Sequence, residues 1–250
     1  MNKQLLNYVN LSDKRVVLLQ SGGLDSCILA HFLAWSGFKV YNLFIDYNQT
    51  ALEKEWETAQ QLTKSLNQKI IKAQIRVPWF DNEIMNGGVV TSNGYDNYNN
   101  GVQDSQTYVP LRNHLFISLA GTLAEKKRIP YICSGIAGAQ DILGRPKNGF
   151  TDSHKKFADK ICDSLNEGSE MYHHLHHPFT LLTPFVGMKK EEIIYLGREI
   201  SADMSLSWTC YNKGPIPCGK CSACICRQIG FLNNEIPDPL LEYLSKPIDK

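Results

Sequence analysis

RVVLLQSGGLDS, residues 15–26, runs from a short apolar stretch straight into a serine and two glycines. The apolar part is rich in leucine and β-branched side chains and ends at a turn signal, the pattern of a buried parallel strand. SCILAHFLAWSG, residues 26–37, follows with apolar spacing that fits a helix closed by Gly37. Strand, Ser-Gly-Gly turn and a helix beginning near Asp25 make an anion-binding construction. Gly22 and Gly23 have no side chains, so main-chain N–H groups can come close to a phosphate. The helix that follows Leu24 aims its N-terminal dipole at the same place. Ser21 and Ser26 add hydroxyl donors. The lysine of GxxxxGK[ST] is missing and there is no GxGxxG, so neither common nucleotide fingerprint accounts for the string. Asp25, at the helix start, either caps the helix or helps to hold Mg2+.

Working outward, residues 40–45 (VYNLFI) read as a second strand, 53–66 as an amphipathic helix and 69–75 as a third strand. Alternating strands and helices predict a doubly wound parallel sheet, an α/β fold of Rossmann-like type. Asp46 ends the second strand at the carboxyl edge, where ligands bind in such sheets. Residues 86–106 are rich in Gly and Asn and read as a long loop, either a lid or disordered. Helices are expected over 114–126, 153–165 and 189–199, strands over 130–135 and 179–185, and a loop over 138–149. There is no internal repeat. Residues 1–206 are read as one α/β domain and 207–250 as a small C-terminal zinc-binding appendage.

The chain has 250 residues, 43% hydrophobic and 20% charged, with a net charge of +1. That size and composition suit an ordinary globular domain. The charge lacks the basic excess of a nucleic-acid binder, and no stretch reaches the roughly 18 apolar residues of a membrane span. With no signal-peptide pattern at residues 1–15, a cytoplasmic location is expected. Clustered cysteines in a reducing compartment point to metal rather than disulfides. Cys210, Cys218, Cys221 and Cys224 read C-x7-C-x2-C-x2-C, able to enclose one tetrahedral Zn2+ with no open position, hence a structural metal. Cys226 is the rival for one of these places. The HHLHH run at 173–177 is read as a partly exposed strand or loop edge rather than a metal site.

SGGLDS after the first strand resembles the pyrophosphatase loop of the adenine nucleotide alpha-hydrolase-like superfamily. That resemblance implies a loop that holds the β- and γ-phosphates of ATP while a substrate oxygen attacks the α-phosphorus. The wider set is similar to the 7-cyano-7-deazaguanine synthase family of queuosine biosynthesis. It comprises SGGLDS at 21–26, FIDYNQ at 44–49, YVPLRNHLFISLA at 108–120, TPF with Lys190 at 183–190, and SWTCY through CGKCSACICRQIGF at 207–231. The resemblance implies a homodimer that uses ATP, Mg2+ and Zn2+. It would adenylate 7-carboxy-7-deazaguanine, convert it with ammonia to an amide, and dehydrate the amide to a nitrile with a second ATP. Arg112 and Lys190 are the cations best suited to offset charge on α-phosphate and carboxylate, surface salt bridges being the alternative. Tyr108 can stack on a flat base or pack in the core. Asn113 can read a base edge or cap a helix.

After the 130–135 strand the family carries an Asp and then a Tyr-Pro-Asp-Cys-Arg string. Here Asp141 matches the first, Arg145-Pro146 is a loose echo, and the tyrosine and cysteine are not found. Thr50 and Ala51 stand where the family places a basic residue and a histidine, and Asn48 replaces a glycine. These departures leave room for an enzyme that stops at the amide or joins the acyl group to another amine, including one on a protein. A tRNA sulfurtransferase, an amidotransferase-type pyrophosphatase and a nucleotide sensor without turnover are the other readings.

Overall fold

A computed structural model describes residues 3–82, 84–85, 87, 107–140, 146–148 and 150–245. Five strands form one parallel sheet: β1 (Arg15–Leu19), β2 (Lys39–Asp46), β3 (Ile70–Gln74), β4 (Tyr131–Cys133) and β7 (Thr180–Leu182). Their order is β3-β2-β1-β4-β7. This is the doubly wound arrangement expected.

The two-residue period of the strands divides the core. Val16 and Leu18 of β1 join one cluster with α2 (Leu24–Trp35), α7 (Lys190–Glu199) and Phe231 of α8 (Ser222–Asn233). Val17 faces the other way, with Leu43 and Ile45 of β2, and meets Ala120 and Ala124 of α4 (Arg112–Lys127). α3 (Leu52–Ser65) sends Leu62 into the first cluster. The chain therefore covers one face through α2 and α3. It then recrosses by way of α4 and lays β4 beside β1.

That reversal makes the carboxyl ends of β1 and β4 the switch point of the sheet, where ligands bind in open α/β folds. The segment leaving β4 lies close to the one leaving β1: a side chain built at Gly135 would touch Asp25 and the Ser26 amide at 3.5 Å.

Elsewhere the structure departs from expectation. The loop expected over 138–149 contains an antiparallel pair, β5 (Ala139–Gln140) and β6 (Pro146–Asn148). The histidine run straddles a helix end: His173 and His174 lie in a short helix, α6 (Glu170–Leu175), which follows α5 (Lys155–Glu167), and His176 and His177 lie in the exposed segment after it. Two further helices, α1 (Lys3–Val9) and α9 (Pro239–Ser245), are anchored by Leu5 and Leu240, both buried. Among the described residues no helix is long and apolar enough to cross a membrane.

Candidate active site and cysteine cluster

The turn after β1 is braced from within by a residue the sequence reading passed over. Gln20 is buried, and its Oε1 accepts from the Gly22 N–H at 3.0 Å and from Ser26 Oγ at 2.6 Å. Its Nε2 donates to the Ser26 carbonyl at 3.2 Å. Ser21 Oγ lies 3.1 Å from Ser26 Oγ and accepts from the Gly23 N–H at 3.2 Å. These bonds occupy the amides of Gly22 and Gly23. The N–H groups of Leu24, Asp25 and Ser26, the first of α2, have no intrahelical acceptor, the Cys27 N–H being the first to find one, on the Gly23 carbonyl.

Gly22 is required twice over. Its φ is +77°, and a Cβ there would lie 2.2 Å from the Glu55 carbonyl oxygen of α3. Gly23 has φ −77°, and its added Cβ would press on a side chain, Ser21 Oγ at 3.2 Å, with the Trp208 carbonyl oxygen at an ordinary 3.8 Å. The Gly22 carbonyl in turn accepts from the Trp208 N–H at 2.8 Å, which ties the loop to the cysteine-rich tail.

Asp25 forms an ion pair with Lys190, at the start of α7. α8 makes room for the lysine stem by having no side chain at Gly230: a Cβ there would lie 2.7 Å from Lys190 Cγ. Ser21, Asp25, Ser26 and Lys190 thus converge at one place.

Asp46 sits differently. Its carboxylate is 2% exposed and already engaged by Arg76 Nη1 at 3.0 Å, the Asn48 N–H and Gln74 Nε2 at 3.1 Å, and Lys72 Nζ at 3.4 Å. Burial raises its pKa, but these donors, Arg76 first, overcome the effect and hold the carboxyl below the ordinary range. The charge is spent on anchoring the segment after β2.

A second group gathers at the start of α4. Leu111, its N-cap, is exposed and sits in the left-handed region at φ 51°, a conformation more often tolerated at functional sites than elsewhere. Arg112 Nη1 donates to Tyr47 Oη at 3.2 Å, with Tyr211 of the tail also in its field. Asn113 does not cap the helix with its side chain. Its N–H donates to Asp152 Oδ2 at 2.9 Å, and its Nδ2 to the Asp152 carbonyl at 3.0 Å. Tyr108 stacks on Phe150, ring centroids 5.8 Å apart.

Asp141 lies outside the described residues, as does most of the 86–106 loop. Phe150-Thr151-Asp152-Ser153-His154 instead keeps the aromatic, Asp and basic order of the Tyr-Pro-Asp-Cys-Arg pattern, and its first and third members touch Tyr108 and Asn113. Allowing phenylalanine for tyrosine would have located it from sequence.

Between the two groups stands Glu55. It is half-buried, its main chain lies under Gly22, and its Oε2 accepts from Gln49 Nε2 at 2.8 Å. Burial pushes its pKa up to about 7, opposed by the Gln49 bond and by Arg112.

In the tail, the sulfurs of Cys210, Cys218, Cys221 and Cys224 all lie within 4.8 Å of one another, Cys218 Sγ and Cys224 Sγ 4.0 Å apart. Tetrahedral zinc with Zn–S bonds near 2.3 Å needs sulfurs about 3.8 Å apart. Main-chain N–H groups of Asn212 and Cys218 point at Cys210 Sγ, and that of Cys221 at Cys218 Sγ, at 3.3–3.4 Å, as thiolate ligands require. Hydrogen bonds from Cys210 and Cys224 favour the Cys221 thiolate, and the same bonds oppose ionisation of the donors. A dication would offset all four, so the donor set fits zinc. Cys226 is not one of the four and lies in the field of Lys190 and Asp25 as well as of Cys221. Arg227, also missed from sequence, is buried. It pairs with Asp238 at 2.6 and 2.8 Å and donates to Ser207 and Thr209, tying α8 to the tail.

A family model described as "Queuosine biosynthesis protein QueC" matches residues 15–235. The 7-cyano-7-deazaguanine synthase of Campylobacter jejuni subsp. jejuni serotype O:2 is 31% identical over 222 residues, covering 87% of this chain and 93% of the relative. The enzyme of the same name from Campylobacter fetus subsp. fetus is 28% identical over 234 residues, covering 93% and 98%.

Proposed function

The chain belongs to the QueC family of queuosine biosynthesis proteins, and from that premise we propose that it is an ATP-dependent carbon–nitrogen ligase acting on 7-carboxy-7-deazaguanine. The reaction is adenylation of the carboxylate with release of pyrophosphate, capture of the acyl group by ammonia, and dehydration of the amide to 7-cyano-7-deazaguanine. The observation that carries the reading is Gly22, held at positive φ against the Glu55 backbone so that the turn and the free amides of α2 form a rigid cradle.

Pyrophosphate gains charge as it leaves, and prepositioned donors are worth most where charge develops. Leu24, Asp25 and Ser26 offer main-chain N–H groups, Ser21 a hydroxyl held in place by Ser26, and Lys190 a cation. Asp25, shared with Lys190, is the loop carboxylate with which Mg2+ would be held. Arg112 holds the substrate carboxylate against the α-phosphate. Tyr108 with Phe150 makes a flat platform for the deazaguanine ring, and Asp152, braced by Asn113, stands beside it. Cys210, Cys218, Cys221 and Cys224 would hold a structural zinc whose part is to fix the tail that carries Trp208 to Gly22. The enzyme works in the cytoplasm as a homodimer.

The purified protein is incubated with 7-carboxy-7-deazaguanine, ATP and ammonium, with pyrophosphate and product mass as readouts. Pyrophosphate release that depends on the carboxylate, with nitrile as product, is expected. Thr50 and Ala51, in place of a basic residue and a histidine, favour a second reading in which the amide is the end product. Amide alone would support that one. No carboxylate-dependent pyrophosphate would leave a nucleotide sensor.

A further inference from the structure

Adenylation leaves a chemical problem that neither the phosphate cradle nor the zinc knuckle addresses. Ammonia arrives at neutral pH as ammonium, which has no lone pair with which to attack. A base has to stand between the phosphate loop and the substrate carboxylate.

We propose that Glu55 is the proton acceptor for the incoming amine, a catalytic residue for the second half-reaction of the activity proposed above, on which this inference rests. Four observations place it there. Its main chain is packed against Gly22, so its distance from bound phosphate is set by the cradle itself. Gln49 Nε2 holds Oε2 at 2.8 Å, and among the described residues no second side chain is seen donating to the carboxylate, which leaves Oε1 for a ligand. The carboxylate lies in the field of Arg112, the cation assigned to the substrate acid. It is half-buried, sheltered enough to attract a small cation and open enough to admit one.

Burial also poises the group near neutrality, where a base is most effective. Among the described residues, Tyr47 and Arg112 are the titratable groups whose charge acts on it, from the segment after β2 and from α4.

The step balances. Glu55 Oε1 takes one proton from ammonium. The freed lone pair forms the C–N bond at the acyl carbon. The acyl C–O bond breaks with its electron pair on AMP, whose phosphate takes the second surplus proton. Amide, AMP and a neutral Glu55 result, and Glu55 returns its proton to water.

Glu55→Gln keeps the size and the contact with Gln49 while removing the base. Carboxylate-dependent exchange of labelled pyrophosphate into ATP, run without any amine, reads the first half-reaction alone and is expected to stay within about threefold of wild type. Amide formation from ammonium should fall on the order of 100-fold. Hydroxylamine is unprotonated at neutral pH and needs no base, so hydroxamate formation should fall far less. Glu55→Asp should recover part of the ammonium activity. Equal losses with ammonium and hydroxylamine, a collapse of exchange, or an unchanged ammonium rate would each overturn the assignment. Absence of exchange in the wild-type protein would instead sink the adenylation reading and is thereby told apart.

Discussion

Replacing Gly22 with alanine puts a methyl carbon 2.2 Å from the Glu55 carbonyl oxygen, about 1 Å inside ordinary contact. The obstacle is helix backbone, so no side-chain rotation relieves it. Overpacking of this kind costs typically 1–3 kcal/mol. The left-handed φ of +77° adds roughly 1–2 kcal/mol for any residue with a Cβ. The chain escapes by moving the turn, and a shift near 1 Å at a phosphate cradle costs on the order of 100-fold in rate. Gly23→Ala is the paired control. Its φ is ordinary and its new neighbour is a serine hydroxyl at 3.2 Å, so its cost should stay near tenfold or below. The assay is initial-rate pyrophosphate release at saturating ATP, with a thermal melt on each variant. Gly22→Ala turning over at the wild-type rate, or Gly23→Ala suffering more than Gly22→Ala, would refute the geometry.

Lys190→Met keeps the stem against Gly230 and removes the charge. Pyrophosphate release should drop 100- to 1000-fold, while the partly exposed pair with Asp25 contributes under about 1 kcal/mol to stability; a large melting shift with intact activity would reverse the assignment. Asp238→Ala strands the buried Arg227 guanidinium and should cost about 3–5 kcal/mol, a melting shift of roughly 6–20 °C. Metal analysis should find one zinc per chain. Cys226→Ser should retain it, and Cys224→Ser should lose it and melt lower; equal behaviour of the two would contradict the cluster. The rate of amide formation should fall as pH drops through about 7, where Glu55 takes up its proton. The matching stability term has the opposite sense: a raised carboxyl pKa favours the fold below its unfolded value and ceases to do so as pH rises through about 7. Glu55→Gln at pH 8 should therefore melt no lower than wild type, and a lower melt would count against the buried-carboxyl account.

Strands β1 to β3, helices α2 and α3 and the glycine turn between β1 and α2 were legible because their signals are local: a strand-length apolar run, a 3.6-residue spacing, two adjacent glycines. The short elements were not. α1 and α6 have too few residues to be stable by propensity, and each forms because one side chain, Leu5 or Met171, reaches the core. β5 and β6 were hidden in a polar, glycine-containing stretch without alternation. Phe150 and Asp152 were not legible because phenylalanine stands for the family's tyrosine and serine for its cysteine, which leaves only an aromatic and an acid at the family's spacing.

Residue types and their local order are properties of the chain alone, and they sufficed for the α/β class, the glycine turn after β1 and the four-thiol donor set. Folding in three dimensions settled the rest. Of the two glycines, Gly22 rather than Gly23 is the indispensable one, because α3 happens to pass beneath it. Cys224 joins the cluster and Cys226 does not, since two residues along a helix turn a side chain by about 200°. Asp46 is consumed by Arg76 and Lys72, which approach from β3 and the segment after it. Each outcome depends on which atoms from distant parts of the chain share one small volume, and linear order carries no measure of that distance.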